Sequence, residues 1–124
     1  MLNKVRENCG LENPSSFFIR IRTTNSFPTA CGLASSASGF ACLAMCLAEA
    51  FKYNGDVSEL ARLGSGSACR SCFGGFVLWS ADRVSENSIA RRLYFKDHWP
   101  EMNILVLILE DERKKVIFIQ IYEN

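Results

Sequence analysis

The sequence predicts an α+β domain in which a mixed sheet packs on one central, buried helix. Three observations carry this. Between Arg22 and Glu49 no side chain is charged, and the second half of that stretch is apolar over a helical length. Short β-rich runs lie on both sides of it, at 16–23, 73–80, 89–95, 103–109 and 116–122. Two loops of small and hydroxyl residues, 25–34 and 64–71, punctuate the chain. At 124 residues, one domain over 1–124 is the expectation.

Taken in order, residues 1–14 are polar and broken by Gly10 and Pro14, and read as surface or a frayed start. Residues 16–23 alternate: Phe17, Ile19 and Ile21 share one face and Arg20 and Arg22 the other, as in a half-buried strand. A helix is predicted over 34–52, with Ser35 or Ser36 near its cap or first turn. Phe40, Leu43, Leu47 and Phe51 form one face. Cys42, Met45, Cys46 and Ala50 cover much of the rest, so the helix is expected to be packed on several sides. Asn54-Gly55 ends it, and Asp56 or Ser58 can cap a short helix running to Leu63. A short helical turn follows the second loop. Strands are expected over 73–80 and 89–95. The apolar run 103–109 reads as a strand buried on both faces, 110–115 as a charged turn and 116–122 as a last strand.

Composition excludes several classes. The chain is 48% hydrophobic and 22% charged, hence globular, and its net charge of +1 gives no basic field for nucleic acid or membrane. The ten-residue apolar run from Gly39 to Ala48 is too short to span a bilayer, which needs about 20 residues. No signal-peptide pattern opens the chain, so the six cysteines are expected reduced and inside the cell. Cys69 and Cys72 form a lone C-x-x-C, and Cys42 and Cys46 lie one helical turn apart. The pair within the apolar helix reads as core packing rather than as a metal site, and no metal ligand is assigned.

The two loops carry the chemistry. In the first, backbone N–H groups from Gly32 to Ser36 can point into one concavity at a helix N-terminus, which carries roughly +0.5 charge, and the two serine hydroxyls add donors. Gly32 permits an approach that a Cβ would block. A turn made of small residues only for close helix packing explains this loop about as well. In the second, Ser65, Ser67 and Arg70 bring two hydroxyls and a guanidinium together within six residues. A guanidinium suits phosphate because its fork donates parallel hydrogen bonds; a flexible linker with a surface arginine is the competing reading. There is no G-x-x-x-x-G-K-[ST], so this is not a P-loop. His98, beside Trp99-Pro100, reads as structural. Asp97, Glu101, Asp111 and Glu112 read as solvated turn charges, and no residue stands out as a general base.

Pro28-Thr-Ala-Cys-Gly-Leu-Ala-Ser-Ser-Ala37 resembles the ATP-phosphate loop of the GHMP kinase superfamily. The longer string 25–36, with 61–71 running into Phe73-Gly-Gly-Phe-Val77, is similar to the diphosphomevalonate decarboxylase family over about 16–115. The resemblance implies a fold like domain 2 of ribosomal protein S5, here partial. It implies phosphorylation of the tertiary hydroxyl of mevalonate 5-diphosphate by ATP with a divalent metal such as Mg²⁺, then loss of phosphate and carbon dioxide. By the family pattern Ser65, Gly66, Ser67, Ala68, Cys69 and Arg70 hold the substrate, and Pro28, Gly32, Leu33, Ala34, Ser35 and Ser36 hold ATP. A homodimeric parent and a cytoplasmic setting are implied as well. The chain departs from the pattern. The family's Tyr-Trp-Gly-Lys motif and the domain bearing its catalytic Asp are absent, and 116–124 diverges. An internal or truncated, inactive fragment is therefore expected. A GHMP-type small-molecule kinase and a non-catalytic interaction fragment are the alternatives.

Overall fold

A computed structural model describes residues 1–12, 18–29, 32–80 and 82–105. The readings made for 106–124 lie outside the described residues, as do the first two positions of the 16–23 run.

The core is built on α2, Ser35–Phe51. Ala34 and Lys52, its two caps, both adopt left-handed backbone, so the helix ends abruptly on both sides. Its buried stripe is Ala37, Ala41, Ala44, Leu47 and Phe51, a period close to 3.6. Small side chains along that stripe let α3 (Val57–Arg62) and α4 (Ala68–Ser71) lie close against it. Leu60 and Ala61 from α3 and Ala68 from α4 complete the cluster. Burying Leu60, which is fully enclosed, contributes about 1.5–3 kcal/mol.

Asp56 caps α3 by accepting the Glu59 N–H at 3.0 Å. It also accepts from the Ser58 hydroxyl at 2.5 Å, and that hydroxyl in turn accepts the Ala90 N–H at 3.0 Å. A buried serine thus stitches the helix layer to the sheet. The sheet pairs β1 (Phe76–Trp79) antiparallel with β2 (Ala90–Tyr94), with Trp79 opposite Ala90 and an irregularity between Phe76 and Val77. A 3₁₀ turn over Ser85–Asn87 joins them. Arg62 donates to the Ser85 carbonyl at 2.8 Å and to its hydroxyl at 2.9 Å, fastening that turn to α3.

Four expectations need correction. The start is not frayed: Leu2–Glu7 forms α1, with Val5 fully buried and Lys4 ion-paired to Glu59. Leu2, Val5 and Cys9 recur at helical spacing and meet the core, and Asn54 donates to the Asn8 carbonyl at 3.1 Å. Second, among the described residues α2 is packed on one side only. Cys42, Met45, Cys46 and Ala50 are exposed, and Phe40 and Leu43 sit half-buried at the margin of the alanine stripe. Among the described residues the far face of this helix meets the 18–23 segment across an open groove. Third, the sheet is not mixed but a two-stranded antiparallel ribbon among the described residues. Fourth, 18–23 and 103–105 form no strand, and Phe18, Ile104 and Leu105 are almost wholly exposed. A strand is held by a neighbour, and no described segment pairs with either run.

Candidate phosphate site

The first loop delivers its donors through backbone conformation. Gly32 has φ +88°, and a Cβ built there would meet nothing within 4 Å, so glycine is needed for the left-handed turn and not for space. Ala34 follows at φ +54° and offers no side-chain cap to α2. A non-glycine residue held in this region costs on the order of 1 kcal/mol, a strain found more often at ligand sites than elsewhere. Its carbonyl accepts the Ser38 N–H at 3.1 Å and so begins the helix. Ser38 also reaches back to the Asn25 side chain at 3.5 Å, tying the start of the loop to its end. Leu33, Ala34 and Ser36 are exposed, while Pro28 and Ser35 are half-buried. A helix of 17 residues thus presents its positive pole, without a cap side chain from Ala34, at an exposed surface.

The second loop folds over the first turns of α2. A Cβ on Gly64 would lie 2.0 Å from the Phe40 ring, so only glycine lets the chain pass over that ring. Ser65 follows at once. Its N–H is spent on the Ala61 carbonyl at 3.2 Å, and its carbonyl accepts from Ala68 at 2.9 Å. Its hydroxyl points to Ser36, with Oγ to Oγ 3.5 Å. The two loops, 29 positions apart in sequence, therefore meet hydroxyl to hydroxyl.

The six positions of the second loop do different things. Ala68 and Cys69 turn their side chains into the core, and the Cys69 thiol donates to the Gly66 carbonyl at 3.1 Å. They shape the turn and leave the polar work to their neighbours. Burial pushes the Cys69 and Cys72 thiols up, which makes them packing groups rather than nucleophiles. Arg70 is exposed, and its guanidinium rests on the Trp79 ring, 5.6 Å from the centroid. Trp79 is held in turn by its indole N–H, donated to Ser88 at 3.0 Å. This partner of Arg70 is not apparent from sequence, because it depends on β1 lying beside α4.

Two grooves and several side chains lie around this site. A groove of about 410 Å³ runs from Leu33 and Ala34 along α2 past Ser38 and Met45 to Ser71. A larger one, about 440 Å³, lies between the 18–23 segment and α2 and is lined by none of the phosphate-loop residues. His98 stacks on Tyr94 at 4.0 Å between centroids and meets Phe76 edge-on, in keeping with a structural role. Cys42 and Cys46 are solvent-exposed among the described residues, so the core-packing reading of that pair is not met there, whereas Cys69 is buried. Among the described residues no three His, Cys, Asp or Glu side chains converge as a metal site.

An α+β frame in which a serine hydroxyl in the first turn of a long helix meets the hydroxyl of a second small-residue loop has the makeup of a candidate module for phosphorylated small molecules. Residues 1–90 match the diphosphomevalonate decarboxylase-like N-terminal domain, and the chain belongs to that family. It is 46% identical over 111 residues to the human diphosphomevalonate decarboxylase, covering 88% of this chain and 28% of that one. With the rat enzyme it shares 49% over 98 residues, 77% of this chain and 24% of that protein. In three dimensions it resembles the mevalonate diphosphate decarboxylase of Trypanosoma brucei, with TM-score 0.57 and 52% identity over 62% of this chain and 21% of that one. The chain thus spans between a quarter and a third of the human relative.

Proposed function

We propose that this chain supplies the phosphate-holding part of an ATP-dependent decarboxylase that converts mevalonate 5-diphosphate to isopentenyl diphosphate. The observation that carries the reading is the Ser36–Ser65 contact, which puts the predicted ATP loop and the predicted substrate loop on one surface. Gly32, Leu33, Ala34, Ser35 and Ser36, entered from Pro28, hold the ATP phosphates at the α2 N-terminus. Ser65, Gly66, Ser67 and Arg70 hold the substrate diphosphate, with Ala68 and Cys69 fixing the turn beneath. Adjacent phosphate sites favour transfer of the terminal phosphoryl group to the substrate hydroxyl by positioning rather than by covalent catalysis. Phosphate then leaves with its C–O bonding pair, and the C–C pair released with carbon dioxide becomes the new double bond.

A divalent ion, Mg²⁺ in this reading, supplies charge neutralisation between the phosphates when it is bound. Serine hydroxyls suit such a hard ion, but the described residues bring no carboxylate cluster to it. The reading extends to a homodimeric parent in the cytoplasm, with neither nucleic acid nor membrane as partner. Among the described residues no helix is long and apolar enough to cross a membrane.

The roles separate by substitution. R70A should abolish binding of mevalonate 5-diphosphate while leaving ATP binding intact, and S36A should weaken ATP binding more than substrate binding, both read by calorimetry. Equal affinities for wild type and both variants would overturn the assignment. The pure 124-residue chain is expected to release no carbon dioxide from ATP and substrate, because no general base stands at the juxtaposed loops among the described residues. Measurable release would contradict this.

A further inference from the structure

We infer that Trp79 is a positioning residue of the substrate site, acting through Arg70; this rests on the reading of Arg70 as a diphosphate ligand. The Arg70 guanidinium lies on the face of the Trp79 ring, within the range of a cation–π contact. A contact to the ring face consumes none of the five N–H donors, so the fork stays available to an anion. Arg70 has no carboxylate partner among the described residues, whereas the neighbouring Arg62 is committed to Ser85. The platform is itself fixed. The indole N–H is anchored on Ser88, a buried residue, and Trp79 is paired opposite Ala90 in the sheet. The substrate loop also runs beside the ring, since a Cβ on Gly66 would make an ordinary contact with the indole edge at 3.4 Å. An exposed arginine on a free stem would lose much side-chain entropy when it closes on a diphosphate. Resting on an anchored ring, it has already lost part of it.

The test uses the full chain, inorganic pyrophosphate as the probe, and a W99F background so that Trp79 is the single indole. Trp99 stacks on Phe76, and the ring contact of Arg70 is with Trp79. Tryptophan fluorescence reads binding where an indole is present, and calorimetry reads every variant. R70A should weaken pyrophosphate by roughly thirty-fold, from the loss of charge-assisted hydrogen bonds. W79L should weaken it about three-fold, and W79F, which keeps a π face, should recover most of that loss. Replacing Trp79 with increasingly fluorinated tryptophan keeps shape and fold but drains the ring face of electron density; affinity should fall in step with fluorine number. If R70A binds as wild type does, the substrate-site reading itself is wrong. If R70A loses binding while the fluorinated series stays flat, the substrate site stands and the role of Trp79 is refuted.

Discussion

The Lys4 ammonium donates to Glu59, and this hydrogen bond holds its pKa above the ordinary 10.5. Burial acts in the same direction on three acids, raising Cys69 and Cys72 from 9.0 and Tyr53 from 10.0. In each case the fold binds the proton more tightly than the unfolded chain does. The stabilisation is therefore complete below the unfolded pKa and is lost as pH climbs through the folded one. Thermal melts from neutral to about pH 11 should show stability falling from about pH 9, the thiols first and Lys4 last. K4M should flatten only the highest part of that profile, and a wild-type profile level throughout would contradict the account. Single residues were partly legible in the sequence. Gly32, Ser36, Ser65 and Arg70 announce their chemistry by type. Trp79 does not, because its meaning comes from a ring–guanidinium contact across two elements. Gly64 is also silent in sequence, since what it makes room for is the Phe40 ring of another helix.

At the level of elements, local signals succeed where the element is closed locally. Asp56 caps α3 as its sequence position suggests, and D56A should cost about 1 kcal/mol by losing the Glu59 N–H acceptor. Gly75 enters β1 at φ +86°, where an added Cβ would lie 2.3 Å from the Tyr94 carbonyl oxygen. G75A should therefore cost roughly 2–3 kcal/mol, since both backbone conformation and space oppose it. Urea titration of the two variants checks both values, and shifts within half a kcal/mol would show the assigned contacts to be unimportant. The α2 bounds were legible to within a residue at each end, set by a small-residue loop before and Asn54-Gly55 after. The six-residue α1 was not. Its stability comes from burial of Val5 and from the tie to Glu59, contacts with segments more than 40 positions away. The strand read over 16–23 was not found in its described part for the converse reason: alternation gives a strand its two faces but does not supply a partner.

At the scale of the whole molecule, one side of α2 is covered among the described residues and the other is not. Phe18, Ile21, Met45, Ile104 and Leu105 are all large apolar side chains exposed among the described residues. Light scattering over a concentration series should show mass rising with concentration, with M45E lowering it. A strict monomer at every concentration would contradict this. The apolar helical run between short β-rich runs indicated the α+β class and the loop–helix motif pointed to phosphate, while the longer strings carried the family. What the sequence could not show was that the two loops touch, since this depends on the path of residue 64 over Phe40.

That adjacency is the central claim, and amide-resolved NMR of the 124-residue chain tests it most directly. Titration with ATP should shift the amides of Gly32–Ser36 and titration with inorganic pyrophosphate those of Ser65–Arg70, each ligand should still bind with the other present, and the amides at the Ser36–Ser65 contact should respond to both. A ligand that leaves its assigned loop unshifted, or no response to both ligands at that contact, would contradict a common phosphate surface.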